Sequence, residues 1–290
     1  MSRSLLAFAL LILVTPPLHG QTMTTLVPDF GGNDGISIDA AGNVYVNARG
    51  LNFNGRRVLR VEPDGTYAPY ATMLDPFPVG SVFDGAGNLY VTGANFGNVR
   101  RIAPDGSHEV IATGMPGAGG LEFDGEGNLY CSAFNANWVA KIAPDSTITT
   151  FAIGGLVNGP TGLAYRAAEN CLYNANWFDG NVTRYELDGT GTLFAVLPEF
   201  PIGPLVIVGD FLYASAPESN RIYRIELATA SVSVFAGTGV AGDLDGDLSV
   251  AQLRYPVGIN ATQDGSLFYV SDLGPAGRGR LRRIYLTPTG

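Results

Sequence analysis

The chain has 290 residues, of which 46% are apolar and 15% are charged, so its composition suits a folded protein with a sizeable core. The formal net charge is −9, and Lys141 is the one lysine. This balance excludes a nucleic-acid partner and electrostatic attachment to anionic lipid, because both require a basic face.

Residues 1–20 are predicted to be a secretory signal peptide. Arg3 precedes an unbroken apolar run, Leu5–Val14, which is too short to span a bilayer and is stopped by Pro16. Cleavage after this segment would leave residues 21–290 as a single domain. We therefore expect a secreted or periplasmic protein without membrane insertion.

The mature chain is predicted to consist of short strands in a repeated unit. Thr24–Val27 reads as a strand that begins no repeat, and four-strand units follow it. Each unit begins at a glycine, 40–55 residues after the last: Gly35, Gly80, Gly120, Gly162, Gly203 and Gly258. A period near 40 residues with four strands is typical of a β-propeller, so six periods predict an all-β, six-bladed β-propeller of four-stranded blades.

The third unit shows the pattern most clearly. Its predicted strands are Leu121–Phe123, Leu129–Ser132, Val139–Ala143 and Thr147–Ala152, each bounded by turn residues. Cys131 of this unit and Cys171 of the next are three residues out of register. A disulfide needs Cα atoms within about 7 Å, so we expect two buried free thiols, although an exported chain would permit a bridge.

The last unit lacks a fourth strand. Its third strand is predicted at Leu281–Leu286, and the chain stops at Gly290. The unassigned strand Thr24–Val27 supplies what is missing. We therefore predict that the N-terminal strand completes the last blade and closes the ring, which leaves no unpaired edge between first and last blades.

One segment carries a family resemblance. Phe235–Asp272 contains AGTG, an Asp-Gly-rich loop, AQLRYP and YVSD, and it resembles an NHL repeat. The wider group of such propellers includes the senescence-marker-protein and gluconolactonase-like proteins. NHL proteins are mostly binding scaffolds, whereas the gluconolactonase-like proteins are metal-dependent lactonases and hydrolases, so the resemblance by itself leaves both functions open.

The gluconolactonase resemblance implies a divalent ion on the propeller axis. The family's ligand positions, those just before the unit glycines, fall on Asp34, Gly119, Thr161 and Ile202. Of these four residues, only Asp34 has a side chain of the type that the family uses as a ligand. One carboxylate with neutral groups would hold Ca²⁺ weakly. Asp34 is thus the candidate metal ligand, no cofactor is firmly implied, and a turn-capping role for Asp34 is the alternative.

Other catalytic and metal-binding chemistry is limited by the residues present. His108 is the one histidine outside the predicted signal peptide, at a corner away from the loop end of the blades, so a Ser-His-Asp triad there is excluded. Acid–base chemistry would have to use carboxyls such as Asp34, Asp179, Glu218 or Asp272. The aspartates of residues 243–247 alternate as in a calcium loop but lack its final glutamate, so we interpret them as a turn.

Two adjacent units carry Asn-Ala-Asn-aromatic loops at the same end of their blades. We expect these side chains to form one concave binding surface near the axis, beside Asp34: Asn135, Asn137, Asn174, Asn176, Trp177, Phe178 and Asp179. Amides donate and accept hydrogen bonds, and aromatic faces stack on flat apolar groups. The sequence therefore favours an exported binding module for a small polar molecule, a glycan or a peptide, with a metal-dependent lactonase or hydrolase as the alternative.

Overall fold

The computed structural model describes residues 21–50, 52–72, 74–273 and 278–286. The predicted signal peptide lies outside these residues. Within them, antiparallel sheets follow one another around a central axis and form a six-bladed β-propeller. The predicted fold class is therefore confirmed. The one helical element described is the 3-10 turn Phe134–Ala136.

The first three blades follow the N-terminal strand β1 (Thr22–Phe30) in chain order. Blade 1 contains β2 (Ile36–Ile38), β3 (Val44–Ala48), β4 (Arg57–Val61) and β5 (Tyr67–Ala71). Blade 2 contains β6 (Pro78–Phe83), β7 (Leu89–Gly93), β8 (Asn98–Ile102) and β9 (His108–Ala112). Blade 3 contains β10 (Ala118–Phe123), β11 (Leu129–Ala133), β12 (Trp138–Ile142) and β13 (Ile148–Ile153).

The remaining blades repeat this arrangement, with an addition in the last. Blade 4 contains β14 (Pro160–Arg166), β15 (Cys171–Asn176), β16 (Asn181–Glu186) and β17 (Gly191–Val196). Blade 5 contains β18 (Leu205–Val208), β19 (Phe211–Ala216), β20 (Arg221–Glu226) and β21 (Val232–Ala236). Blade 6 combines β1 with β22 (Gly246–Asp247), β23 (Gly258–Ala261), β24 (Leu267–Leu273) and β25 (Gly279–Tyr285).

The ring closes through the N-terminal strand, as the unit count predicts. Strand β1 pairs antiparallel with β25, from Thr22 opposite Tyr285 to Phe30 opposite Gly279. It is longer than the predicted strand and buries the side chains of Met23, Val27 and Phe30. Its outer edge also pairs with the two-residue strand β22, so the Asp-rich turn lies against the closing strand.

The unit glycines allow adjacent blades to meet closely around the axis. A Cβ on Gly35 would lie 2.2 Å from the carbonyl oxygen of Val79, and one on Gly120 would lie 2.2 Å from that of Thr161. Real side chains do not tolerate such contacts, so only glycine fits there. Side chains of the second strands donate to the same carbonyls: Asn47 Nδ2 to Val79 O at 2.7 Å, and Ser132 Oγ to Thr161 O at 2.8 Å.

A recurring carboxylate cap explains the GNxY motif at the first hairpin of blades 1 to 3. In blade 3, Asp124 Oδ1 accepts from the backbone amides of Glu126 and Asn128, both at 2.9 Å. Its Oδ2 accepts from Asn128 Nδ2 at 2.8 Å and from Tyr130 Oη at 3.1 Å. This single carboxylate accepts from the backbone amides of the turn and from two side chains at the start of the second strand, so the motif has a structural role in these blades.

Candidate functional site: the axial cavity

A cavity of about 850 Å³ runs along the propeller axis, and we call it the axial cavity. The first strands of all six blades form its wall, and the loops that follow several second strands form its mouth. We call this end of the propeller the loop face. First strands begin and second strands end there, so the topology gathers residues from distant parts of the chain around one opening.

Aromatic side chains surround the mouth of the axial cavity: Phe53, Phe77, Phe134, Trp177 and Tyr255. They form packed pairs across neighbouring blades. Phe53 and Phe77 have ring centroids 4.9 Å apart, and Phe134 meets Trp177 edge-on at 6.2 Å. Trp177 is half-buried, which leaves part of its indole available to a bound molecule.

Asp34 and Arg49 form the charged part of the mouth. Arg49 Nη1 lies 3.5 Å from Asp34 Oδ2, and the Arg49 guanidinium stands 5.1 Å from the centre of the Phe53 ring. Asp34 Oδ1 also accepts from the Gly35 amide at 3.0 Å. Burial raises the pKa of Asp34 to about 7, although Arg49 and the Gly35 amide each act to lower it.

The predicted Asn and aromatic residues separate into two groups. Trp177 and Asn135 line the axial cavity. The others make hydrogen bonds within the protein. Asn137 Oδ1 accepts from the Gly159 amide at 2.7 Å, and Asp179 Oδ2 accepts from Asn158 Nδ2 at 2.9 Å. Asn176 Oδ1 accepts from the Asn158 amide at 3.1 Å and from Asn174 Nδ2 at 2.7 Å. These polar groups hold the segment that leads into β14, while Phe178 is 54% exposed and packs on Phe134. Ligand binding by either group stays a prediction.

The residues at the implied metal positions do not fit a divalent cation. Asp34 supplies the one carboxylate at these four positions, and that carboxylate already lies beside the Arg49 guanidinium. The Thr161 hydroxyl donates to the Ile202 carbonyl at 3.0 Å, and the Ile202 side chain is apolar and buried. Among the described residues there is no cluster of three or more His, Cys, Asp or Glu side chains. Hard cations need several oxygen ligands, and these positions do not supply them.

We therefore expect millimolar Ca²⁺ to leave the melting temperature of the protein unchanged. Ligands that bind only the folded state raise the melting temperature by mass action, so an unchanged value indicates no site of useful affinity. Thermal unfolding with Ca²⁺ and with a chelator measures this. A clear Ca²⁺-dependent rise that Asp34→Asn removes would contradict the assessment and favour the metal-dependent lactonase.

Sequence reasoning missed the acidic residue on the first strand of blade 3, Glu122 on β10, which lines the cavity wall. Strand register places it at the position that pairs with a second-strand tyrosine in every blade: Ser37, Val82, Glu122, Ala164, Val206 and Asn260. Glu122 is the only acid among these six. An alignment of the six units by that tyrosine would have revealed it.

The Asp-rich turn of blade 6 has a structural partner rather than a metal-binding arrangement. Asp245 Oδ1 accepts from Arg282 Nη2 at 2.6 Å, and its Oδ2 accepts from the Thr25 amide of β1 at 2.9 Å. Asp243 pairs with Arg280 at 3.3 Å. The two cysteines, predicted to be free, are both buried and unbonded.

The fold and the axial cavity define a six-bladed propeller with room for a ligand at its loop face. Its fold is similar to that of a gluconolactonase from Xanthomonas campestris, with a TM-score of 0.72 and 17% identity over 93% of this chain and 91% of that one. It is also similar to an auxiliary nutrient binding protein from Bacteroides ovatus, with a TM-score of 0.76 and 13% identity over 91% of this chain and 76% of that one. A third similar structure is virginiamycin B lyase from Staphylococcus aureus, with a TM-score of 0.67 and 16% identity over 92% of this chain and 99% of that one. At these identities the likeness shows the fold alone.

Sequence comparison adds a partial match. Protein SUPPRESSOR OF QUENCHING 1, chloroplastic, from Arabidopsis thaliana is 33% identical over 93 residues, which are 32% of this chain and 9% of that protein. No protein-family profile matches the chain. Within the part of the chain that the structure describes, no helix has the length and apolar character needed to cross a membrane.

Proposed function

We propose that this chain is an exported binding protein that holds a neutral polar ligand, a glycan or a peptide, in the axial cavity at its loop face. The observation that carries the proposal is the cavity of about 850 Å³, which lies within the usual range for small-molecule sites. The nutrient binding protein from Bacteroides ovatus has the same fold and supports a binding role. Export depends on the signal peptide predicted for residues 1–20.

The chemistry of the mouth suits such a ligand. Aromatic faces such as those of Trp177 and Phe134 stack on the apolar faces of sugar rings and on peptide planes. The side-chain amides of Asn95 and Asn135, which also line the cavity, offer both donors and acceptors. Since the net charge is −9, anionic ligands are disfavoured at long range.

Metal-dependent lactone hydrolysis is the second candidate, supported by the fold of the Xanthomonas campestris gluconolactonase and by Asp34 at the mouth. The Arg49 guanidinium weighs against it, because its positive charge already lies beside the one carboxylate at the implied metal positions. The Ca²⁺ measurement described above separates the two functions.

Trp177→Ala is expected to weaken binding of the ligand about tenfold or more, because aromatic anchors dominate the binding energy of many interfaces. The half-buried position should keep its cost in stability below the 3–5 kcal/mol that is typical of a core tryptophan. Glycan and peptide arrays probed with the unmodified protein would identify ligands, and calorimetric titration would compare the variants.

Phe96→Ala is the matched control for this substitution. Phe96 is a loop-face aromatic that is 62% exposed and does not line the axial cavity. Binding should survive its removal. Equal affinities for Trp177→Ala and Phe96→Ala, or the absence of any ligand on both arrays, would contradict the proposed function.

A further inference from the structure

Glu122 places a carboxyl group on the inner wall of the axial cavity, where the equivalent positions of the other blades carry neutral side chains. The residue is half-buried, and its Oε1 accepts from the backbone amide of Phe123 at 3.0 Å. The backbone amide of Tyr165 in the next blade acts to lower the pKa of this carboxyl. The carboxyl therefore lies between blades 3 and 4 and borders the space that a ligand would enter.

None of the arginine and lysine side chains among the described residues forms an ion pair with the Glu122 carboxyl. The strands packed against β10 bring five titratable side chains to its surroundings: Tyr90, Tyr130, Cys131, Tyr165 and Arg166. The Tyr90 and Tyr130 hydroxyls donate to Asp84 and Asp124, and Tyr165 donates to Asn170 at 2.7 Å. Arg166 is paired with Glu169 at 2.9 Å. The cysteine is a buried neutral thiol.

The charged groups at the mouth of the same cavity do not neutralise Glu122 either. Asp34 and Arg49 face each other there, and no ion pair joins Arg49 to Glu122 among the described residues. Burial raises the pKa of Glu122 to about 8, against a smaller lowering by the amides of Phe123 and Tyr165. An ionised carboxylate in such surroundings would lack a counter-charge, so the neutral acid is favoured around pH 7.

We propose that Glu122, as a neutral carboxylic acid, recognises the inserted end of the ligand by donating a hydrogen bond to an uncharged carbonyl or hydroxyl oxygen. This inference rests on the proposed binding function and specifies the chemistry of its ligand. A protonated carboxyl both donates and accepts, whereas a carboxylate only accepts and repels anions. Apolar sites are known to hold a carboxylic acid neutral at pH 7 so that it can donate. Ionisation of Glu122 should therefore remove the donor from the cavity wall and add a charge that repels anionic groups.

The protonation state can be measured without a ligand. The infrared carbonyl band of a carboxylic acid, taken as the difference between unmodified protein and Glu122→Gln, should persist at neutral pH and disappear with a midpoint near 8. Glu126→Gln is the matched control, because Glu126 is exposed on the adjacent turn and lies outside the cavity. A band that disappears near the ordinary glutamate value of 4.5 would overturn the inference.

Two aromatic probes test recognition directly: 2-acetylnaphthalene, which is neutral, and 2-naphthoate, its carboxylate counterpart. The unmodified protein should bind 2-acetylnaphthalene about tenfold more weakly at about pH 9.5 than at about pH 6.5, because the donor is lost. Glu122→Gln keeps a donor and should lose this tenfold change, while Glu126→Gln should behave like the unmodified protein. Between the same two values the 2-naphthoate should weaken by more than the ketone does, because the ionised Glu122 also repels it.

The outcomes distinguish this inference from the proposed function. If an array ligand binds with a strong dependence on Trp177 but with no dependence on pH or on Glu122, the function stands and the inference is wrong. If the ketone shows the expected pH profile while both arrays yield no ligand, the assignment of Glu122 stands and the glycan or peptide function is wrong. A pH profile for the ketone that Glu122→Gln leaves unaltered would also overturn the inference.

Discussion

Asp272→Ala is expected to lower the free energy of unfolding by about 3–5 kcal/mol, the usual cost of removing one partner from a buried ion pair. Asp272 and Arg282 are fully buried, and Arg280 is 3% exposed. The Asp272 carboxylate accepts from Arg280 Nε at 3.0 Å and from Arg280 Nη2 at 2.9 Å, and Arg282 Nη1 lies 3.4 Å from it. Its loss would leave two buried guanidinium groups without their shared counter-charge.

The consequences should extend beyond the two arginines, because they anchor the long segment between β21 and β23. Arg280 Nη2 donates to the Gly242 carbonyl at 2.9 Å, and Arg282 Nη1 donates to the Gln252 carbonyl at 2.9 Å. Asp272 Oδ2 also accepts from the Arg254 amide at 3.1 Å. The same substitution should therefore expose this segment to limited proteolysis.

Urea denaturation is the suitable measurement, since urea does not screen charges. Glu109→Ala is the control, because it breaks the exposed ion pair with Arg101 and should change stability little. Equal urea midpoints for the two variants would show that the buried network contributes nothing beyond a surface pair.

Removal of residues 21–30 is expected to cost roughly 5 kcal/mol or more, because β1 buries Met23, Val27 and Phe30 at about 1.5–3 kcal/mol per side chain. Strand β25 would become an unpaired edge, and the ring would open between blades 6 and 1. A loss of this size is comparable with the whole stability of many domains. We expect the truncated chain to unfold at a much lower urea concentration than a chain that begins at Gln21.

Complementation provides the control for this truncation. A synthetic peptide of residues 21–30 should restore stability when added to the truncated chain, and the same peptide with Val27→Asp should not, since that side chain is buried. A truncated chain that melts like the longer one would contradict closure by β1. Trp138 and Trp177 allow unfolding to be followed by fluorescence.

Much of the architecture was predictable because each blade repeats the same local solution. A glycine lies in or just before each first strand, and at Gly35 and Gly120 the next blade's carbonyl leaves no space for a Cβ. Turn residues end each strand, so the period is visible in the sequence. The bounds of β1 were less predictable, since its extension to Phe30 depends on pairing with a strand almost 250 residues away.

The candidate site was predictable only in part. The positions of Asp34, Asn135 and Trp177 at the cavity follow from the topology of the units. The hydrogen bonds of Asn176 could not be predicted in this way, because its partners, Asn158 and Leu156, lie in a connecting segment that has no repeated pattern. The burial that raises the pKa of Glu122 could not be predicted either, since it depends on contacts between blades.

The sequence by itself determined the number of blades, the order of strands and the closing role of the N-terminal strand, because these depend on local turn chemistry and on counting units. The tertiary structure alone decided which polar side chains face the axial cavity and which serve as internal hydrogen-bond partners. Two asparagines of one loop type, Asn135 and Asn176, thus have different surroundings. The physical reason is that a side chain's partners, burial and charge state are set by neighbouring blades, which lie far away in sequence.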